Sequence, residues 1–147
     1  MNEEQGMRLA LDEARRALIE NEVPIGAVVV KGDTVVSRAH NDCVRTGDPT
    51  RHAECIALKE AYQTLKSLDG CTLFVTVEPC AMCAGTMLLL RLPRLVFGAF
   101  SPVNGCCGSK VDLTDHWFDA SAETVGGVLE SECSAMLSRF FSELRTN

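Results

Sequence analysis

Hydrophobic positions recur every three or four residues in three stretches of the chain, and this spacing predicts amphipathic helices. The first stretch covers residues 3–20 and the second about 51–67. The third follows residue 129, and its apolar face would hold Cys133, Met136, Leu137, Phe140, Phe141 and Leu144. A shorter helix is predicted over residues 80–90, because Pro79 suits the first position of a helix.

Short apolar runs bounded by turn residues predict β-strands. Residues 24–30 and 34–37 would form a hairpin around the turn Lys31-Gly32-Asp33. Further strands are predicted over residues 72–77, 94–99 and about 124–129, whereas residues 42–50 and 100–121 have no regular period and are predicted to be loops. Alternating strands and helices imply an α/β sandwich with helices packed on a mixed sheet.

Composition places the chain among ordinary globular proteins. Its 147 residues suit one domain, and 46% of them are hydrophobic and 23% charged. No apolar run reaches the roughly 18–20 residues that a membrane span needs, so no membrane partner is expected. The N-terminal segment is acidic and amphipathic, unlike a secretory or transit signal, and we therefore expect a cytoplasmic protein.

Charge and cysteine content narrow the classes of function. The net charge of −6 argues against a surface coated by nucleic acid, although it is compatible with a local basic groove. Without an export signal, the eight cysteines are expected to be reduced thiols that bind metal or pack in the core. We assign Cys55, Cys71 and Cys133 to the core. Cys106 and Cys107, in a glycine-rich loop, are weaker candidates for a metal ligand.

The segment Glu78-Pro79-Cys80-Ala81-Met82-Cys83 contains a C-x-x-C pair. Three kinds of site use such a pair: a redox disulfide, a structural zinc site with four protein ligands, and a catalytic zinc site with three protein ligands and one position for water. Thiolates three residues apart lie on one face of a helix, here near a helix start whose free N–H groups stabilise negative charge. The pair alone does not distinguish the three sites.

A second motif, H-x-E at His52 and Glu54, favours the catalytic zinc site. His52 would be the third ligand beside Cys80 and Cys83, and no second C-x-x-C follows to close a structural site. Glu54 would then serve as general acid and base for a water activated by Zn²⁺. Two residues correspond to about 200° of rotation on a regular helix, so His52 and Glu54 can both face the metal only near the helix end.

With these motifs, the chain resembles the cytidine deaminase-like superfamily, and within it the tRNA-specific adenosine deaminases. The resemblance runs through residues 22–28, 40–41, 52–54, 76–85, 96–99 and 129–133. It implies a three-layer α/β/α sandwich with a five-stranded mixed sheet, formed by residues 1–147 as a single zinc-dependent deaminase domain. The H-x-E and P-C-x-x-C signature of zinc deaminases carries the chemistry: hydrolytic removal of an amino group from a base.

The resemblance also implies cofactor, partners and substrate contacts. We expect one Zn²⁺ per subunit, a homodimer and a tRNA anticodon stem-loop whose wobble adenosine becomes inosine. Asn41, Val28, Pro79 and Ala53 are the expected substrate-binding residues. Residues 87–90, an apolar run before Arg91, would form the dimer surface or else a buried core helix.

Two regions depart from the pattern of bacterial relatives, namely residues 116–121 and the short tail without a lysine-rich end; Ser101 also replaces a usual acidic residue. Two further hypotheses therefore stay open: a zinc deaminase of a free base or nucleoside (guanine, cytosine or adenine), and a zinc-stabilised binding module without activity. If RNA binds, the candidate phosphate contacts are Arg38, Arg45, Arg51, Lys110 and Arg145.

Overall fold

The computed structural model describes residues 1–115 and 119–146, with backbone alone for residues 145 and 146. The elements are, in chain order, α1 (Glu3–Ile19), β1 (Gly26–Lys31), β2 (Thr34–His40), α2 (Cys43–Thr46), α3 (Ala53–Leu65), β3 (Cys71–Val77), α4 (Ala81–Leu89), β4 (Arg94–Ala99), β5 (Glu123–Val125) and α5 (Glu130–Thr146). The predicted helices and strands are thus present, with ends shifted by a few residues.

The sheet has five strands in the order β2-β1-β3-β4-β5. β1 pairs antiparallel with both β2 and β3, whereas β3–β4 and β4–β5 are parallel pairs. Helices α1 and α5 pack on one face of this mixed sheet, and α3 and α4 cover the other. The three-layer α/β/α sandwich with a five-stranded mixed sheet is therefore confirmed.

Side chains of the central strand β1 alternate between two separate cores, as the pleat of a strand requires. Ala27 and Val29 pack with α3 and α4, in the core that also contains Leu58, Leu73 and Met87. Val28 and Val30 pack on the opposite face with α1, in the core that contains Met7, Leu11 and Phe74. Both faces of the strand are thus buried, which explains the continuous apolar sequence of β1.

Three local expectations are wrong. Pro79 is not the first residue of α4, because Cys80 is the N-cap and the helix starts at Ala81. The predicted loop 42–50 contains the short helix α2. On α5, Phe141 and Leu144 are 43% and 62% exposed, so the buried face of that helix is narrower than its sequence period suggests. No helix in the described part of the chain is long and apolar enough to span a membrane.

The run 87–90 at the end of α4 combines both structures that were considered for it. Met87 and Leu88 are buried in the core beneath α4, whereas Leu89 is 80% exposed. Leu89 lines an outer cavity of about 390 Å³ together with Gly85, Leu88 and Arg91. One side of the run is therefore core and the other is an apolar surface.

Candidate metal centre and active site

His52 and Glu54 lie at the point where the chain enters α3. His52 is the N-cap and has extended backbone angles (φ −78°, ψ 145°), whereas Glu54 is in the first helical turn. The 200° separation of a regular helix therefore does not apply to this pair. The prediction that the two residues can act together only at a helix end is consistent with this placement.

Three side chains form a compact set of potential metal ligands: His52, Cys80 and Cys83. Their ligand atoms all lie within 4.8 Å of one another. The Nδ1 atom of His52 is 3.6 Å from the sulfur of Cys80 and 3.6 Å from the sulfur of Cys83. A tetrahedral zinc site, with Zn–N of about 2.0 Å and Zn–S of about 2.3 Å, has N···S edges of about 3.6 Å. The three predicted ligands therefore fit Zn²⁺ in both chemistry and spacing.

The start of α4 brings the two thiols to this position. Cys80 is the N-cap of α4, and its carbonyl accepts the first helical N–H, that of Ala84, at 2.9 Å. Cys83, one turn further on, is fully buried. The pKa of Cys80 is lowered to about 3, first by its hydrogen bond with the Cys83 side chain and then by that with His52. A thiolate is the form that binds zinc.

Glu54 is the buried carboxyl group beside this ligand set. Its side chain is 4% exposed, and its Oε1 atom has no hydrogen-bond partner within the part of the chain that the structure describes. Burial raises its pKa to about 7. An unpaired polar atom in a protein interior costs free energy unless a bound molecule completes its hydrogen bonding. Glu54 thus has one oxygen left for a ligand of the site.

Asn41, at the end of β2, is placed against the same helix start. Its Oδ1 atom accepts the backbone N–H of Ala53 at 2.8 Å, which satisfies one of the free N–H groups of α3. Because the oxygen is used in this way, the amide nitrogen of Asn41 remains as the group that could contact a substrate. Ala53 itself is fully buried.

The other two predicted substrate-binding residues differ in position. Pro79 is buried next to Cys80, and its carbonyl accepts the N–H of Cys106 at 2.9 Å. Val28 is fully buried on the other face of the sheet, in the core beneath α1. The expectation that Val28 edges the pocket is therefore wrong, because the site lies on the α3 and α4 face.

Glu78 is a buried residue near the site that the sequence did not single out. Its carboxylate accepts backbone N–H groups from Ser101, Cys107 and Ser109 at 3.0, 3.1 and 3.0 Å, and also the hydroxyl of Ser109. Burial would raise its pKa, but these hydrogen bonds outweigh burial and the pKa is lowered. Glu78 thus holds the loop that follows β4, which is irregular as predicted. Its position before the Pro79-Cys80 pair was the only signal available.

Of the six remaining cysteines, Cys43 is half-buried and the other five are buried. Cys106 and Cys107 are buried but lie outside the set of ligand atoms within 4.8 Å, so neither is a fourth ligand. Cys55, Cys71 and Cys133 are buried, as predicted for core residues. The sulfur of Cys55 is also 3.5 Å from that of Cys83, a contact that its sequence position did not reveal.

The basic residues predicted to contact phosphate are only partly clustered. Arg38, Arg45 and Arg51 line one cavity of about 430 Å³, together with Arg16 and several acidic residues. Arg45 Nε donates to Asp42 Oδ1 at 2.7 Å, and Arg51 Nη2 donates to Asp42 Oδ2 at 3.5 Å. Lys110 is exposed on the loop after β4. The side chain of Arg145 and residues 116–118 lie outside the described part of the chain, so those expectations stay predictions.

Comparison with known proteins gives a consistent set of relatives. Residues 1–99 match the family model described as the cytidine and deoxycytidylate deaminase zinc-binding region. A tRNA-specific adenosine deaminase of Bacillus subtilis (strain 168) is 46% identical over 142 residues, covering 95% of this chain and 88% of the relative.

Solved structures agree in fold. A structure from work on A-to-I editing by tRNA:A34 deaminases at the wobble position of transfer RNA is 38% identical with a TM-score of 0.85, covering 90% of this chain and 99% of that chain. A guanine deaminase from Bacillus subtilis is 32% identical with a TM-score of 0.64, covering 68% of this chain and 66% of that chain. The matched segment includes His52, Glu54, Cys80 and Cys83. The chain belongs to the cytidine and deoxycytidylate deaminase zinc-binding family.

Proposed function

We propose that the protein is a zinc-dependent tRNA adenosine deaminase, which hydrolyses the wobble adenosine of a tRNA anticodon to inosine and releases ammonia. The observation that carries this proposal is the free, buried Oε1 atom of Glu54 beside the ligands His52, Cys80 and Cys83. A purely structural zinc site has no use for such a carboxyl group. The single domain of residues 1–147 would hold one Zn²⁺.

Zinc bound to these three residues supplies an activated water molecule as the nucleophile for C6 of adenine. Glu54 moves the protons. Its free oxygen takes one proton from the attacking water and delivers it to ring nitrogen N1. It then carries the second proton of that water to the exocyclic amine, the C6–N bond breaks, ammonia leaves and the C6 carbonyl of inosine forms. Burial of Glu54 limits exchange of these protons with bulk solvent.

Asn41 would orient the base. Its Oδ1 atom is committed to the N–H of Ala53, so its amide nitrogen can donate a hydrogen bond to an acceptor on the base. The same hydrogen bond fixes Asn41 relative to the start of α3. The start of α3 thus holds both the Asn41 side chain, which contacts the base, and the catalytic carboxyl group of Glu54. Pro79 and Ala53 would form apolar walls of the pocket beside them.

The relatives favour RNA over a free base as the substrate. The tRNA-specific relative is 46% identical to this chain, whereas the guanine deaminase from Bacillus subtilis is 32% identical. Arg38, Arg45 and Arg51, which line one cavity, would meet the phosphates of the anticodon loop.

We also propose a homodimer formed through the apolar surface around Leu89. Size-exclusion chromatography with light scattering, on the wild type and on Leu89→Glu, tests that assembly.

The substrate assignment is tested with a panel. Purified zinc-loaded protein is incubated with a tRNA anticodon stem-loop carrying adenosine at the wobble position, and with free adenosine, adenine, guanine and cytosine. Inosine is measured by mass spectrometry and ammonia by a coupled assay. We expect inosine in the RNA at least 100-fold faster than ammonia from any free base, on the order of the loss expected when several phosphate contacts are missing. Ammonia from guanine without inosine in the RNA would assign the protein to free-base deamination instead.

A further inference from the structure

The sulfur of Cys55 lies next to the metal centre without belonging to it. Cys55 follows Glu54 on α3 and is 4% exposed. Its Sγ atom is 3.5 Å from the Sγ atom of Cys83 and 3.5 Å from the hydroxyl oxygen of Thr86. Cys55 is not among the ligand atoms that lie within 4.8 Å of one another. Cys55 therefore contacts the ligand Cys83 without being a ligand itself.

The hydrogen bonds around Cys55 determine which group is the donor in its contacts with Thr86 and Cys83. The Thr86 hydroxyl donates to the carbonyl of Met82 at 2.9 Å, so its single proton is used. Towards Cys55, the Thr86 oxygen can therefore only accept. The Cys55 thiol has one proton and two possible acceptors, the neutral Thr86 oxygen and the Cys83 sulfur. A ligand thiolate is charged, and charge-assisted hydrogen bonds are about twice as strong as neutral ones.

The two ligand thiolates differ in their surroundings. Cys80 is half-buried at the N-terminus of α4, where solvent and free backbone N–H groups stabilise a negative charge. Cys83 is fully buried, one turn inside the helix. The side-chain contacts that the structure gives for its sulfur are those with the Cys80 sulfur and His52 Nδ1, which are both ligand atoms, and with Cys55. A buried charge without a hydrogen-bond donor is costly.

We propose that Cys55 is a positioning residue of the metal centre. Its thiol donates a hydrogen bond to the Cys83 thiolate, which orients the Cys83 sulfur towards the metal and stabilises its negative charge. Outer-shell partners of this kind fix ligand orientation, and their loss typically costs about 10–100-fold in metal affinity. The proposal rests on the zinc site of the proposed function, but it concerns metal binding and not the substrate. It accounts for a thiol at a core position next to a ligand.

Three variants separate hydrogen bonding from packing. Cys55→Ala removes the donor, and Cys55→Ser keeps a donor in the same place. Cys71→Ala is the matched control, because Cys71 is also a buried thiol, in the core beneath α3 and α4, but is outside the ligand set. Each protein is loaded with Co²⁺, and the sulfur-to-cobalt charge-transfer band is recorded in the near ultraviolet. Zinc dissociation constants are then measured by competition with a chromophoric chelator.

We expect the charge-transfer band of Cys55→Ala to move to lower energy, because a thiolate without a donor releases its electrons more easily. Its zinc dissociation constant should rise about 10-fold, at the lower end of the range for outer-shell partners because S–H is a weak donor. Cys71→Ala should match the wild type. In Cys55→Ser the band should stay in place or move to higher energy, because a hydroxyl is the stronger donor.

Two results would overturn the proposal. The first is a Cys55→Ala protein whose band and zinc affinity equal those of Cys71→Ala. The second, decisive if Cys55→Ala does not fold, is a Cys55→Ser protein whose band moves to lower energy as if no donor were present. A wild-type protein without a charge-transfer band would instead contradict the zinc site itself. The two failures are therefore distinguishable.

Discussion

Two buried glutamates flank the metal centre, and their surroundings give them opposite properties. Glu54, two residues after His52, is 4% exposed, and Glu78, two residues before Cys80, is 3% exposed. One oxygen of Glu54 has no partner among the described residues and its pKa is raised to about 7, whereas Glu78 accepts four hydrogen bonds and its pKa is lowered. Burial alone therefore does not decide the charge of a carboxyl group; the donors around it do.

The difference in hydrogen bonding and pKa suits Glu54 and Glu78 to two different roles. A carboxyl group that titrates near neutral pH and has a free oxygen can exchange protons with a substrate. A carboxylate with a lowered pKa, which is ionised at neutral pH and accepts four hydrogen bonds, instead fixes the loop around it. Glu54 thus suits catalysis, and Glu78 organises the chain from Ser101 to Ser109.

The largest expected effect is that of Glu54→Gln on turnover. The amide keeps the shape of the side chain but cannot accept and release a proton, so kcat should fall at least about 1000-fold, within the range for loss of a general acid–base group. Zinc content, measured by mass spectrometry, and the thermal midpoint should stay close to wild type, since Glu54 is not a ligand. The readout is inosine formation in the anticodon stem-loop.

A matched control for this variant is Glu60→Gln, on the exposed side of the same helix. It should retain wild-type activity and stability. If Glu54→Gln keeps a tenth or more of the wild-type rate, Glu54 does not transfer the protons and the contrast between the two glutamates fails.

Glu78→Gln should have the reverse profile, with a main effect on stability. The amide offers one acceptor oxygen in place of two, and its NH2 group faces backbone N–H groups that also donate. Buried donors left without acceptors cost about 1–3 kcal/mol each, so we expect a loss of about 3 kcal/mol in the free energy of unfolding. Urea denaturation of the zinc-loaded protein measures it. A loss below about 0.5 kcal/mol in the free energy of unfolding would show that Glu78 does not hold the loop in place.

Much of this site could be predicted from the sequence because its chemistry is local. His52, Cys80 and Cys83 each lie at or near the start of a helix, and helix starts are visible in the hydrophobic period. The roles of Glu78 and Cys55 could not be predicted from the sequence, because their partners are distant along the chain. Glu78 binds residues 101–109, and Cys55 contacts Cys83. Contacts between distant segments depend on how the layers pack.

Val28 and α2 show why two of the expectations were wrong. β1 is apolar on both faces, so its sequence has no alternation that assigns Val28 to one core or the other. The four residues of α2 are too few for a helical period. Their backbone N–H groups at Val44 and Arg45 donate to the buried carboxylate of Glu22, at 2.8 Å each, which is a tertiary contact.

Gly105 tests the packing around Glu78 without changing its charge. A Cβ atom at Gly105 would lie 2.4 Å from the carboxyl carbon of Glu78. Gly105→Ala should therefore displace the carboxylate and destabilise the protein by about 2 kcal/mol, as overpacking in a core does. Gly85→Ala is the control: its Cβ would meet nothing within 4 Å, and alanine favours the helix by about 0.5–1 kcal/mol. Equal midpoints in urea for the two variants would contradict this packing.

The smallest expected effect is the pH dependence of the difference between wild type and Glu78→Gln. The folded-state pKa of Glu78 lies below its ordinary value of 4.5, because hydrogen bonds from Ser109, Ser101 and Cys107 favour the charged form more than burial opposes it. Stability from this ionisation is therefore present above the unfolded pKa and is lost as pH falls through the folded pKa. The gap between the urea midpoints of the two proteins should become narrower as the pH is lowered from 7 to 3. Loss of zinc at low pH affects both proteins, so it cancels in the difference. Curves that stay parallel would mean that the Glu78 carboxyl group gains nothing from its charge, and that it differs from Glu54 in geometry alone.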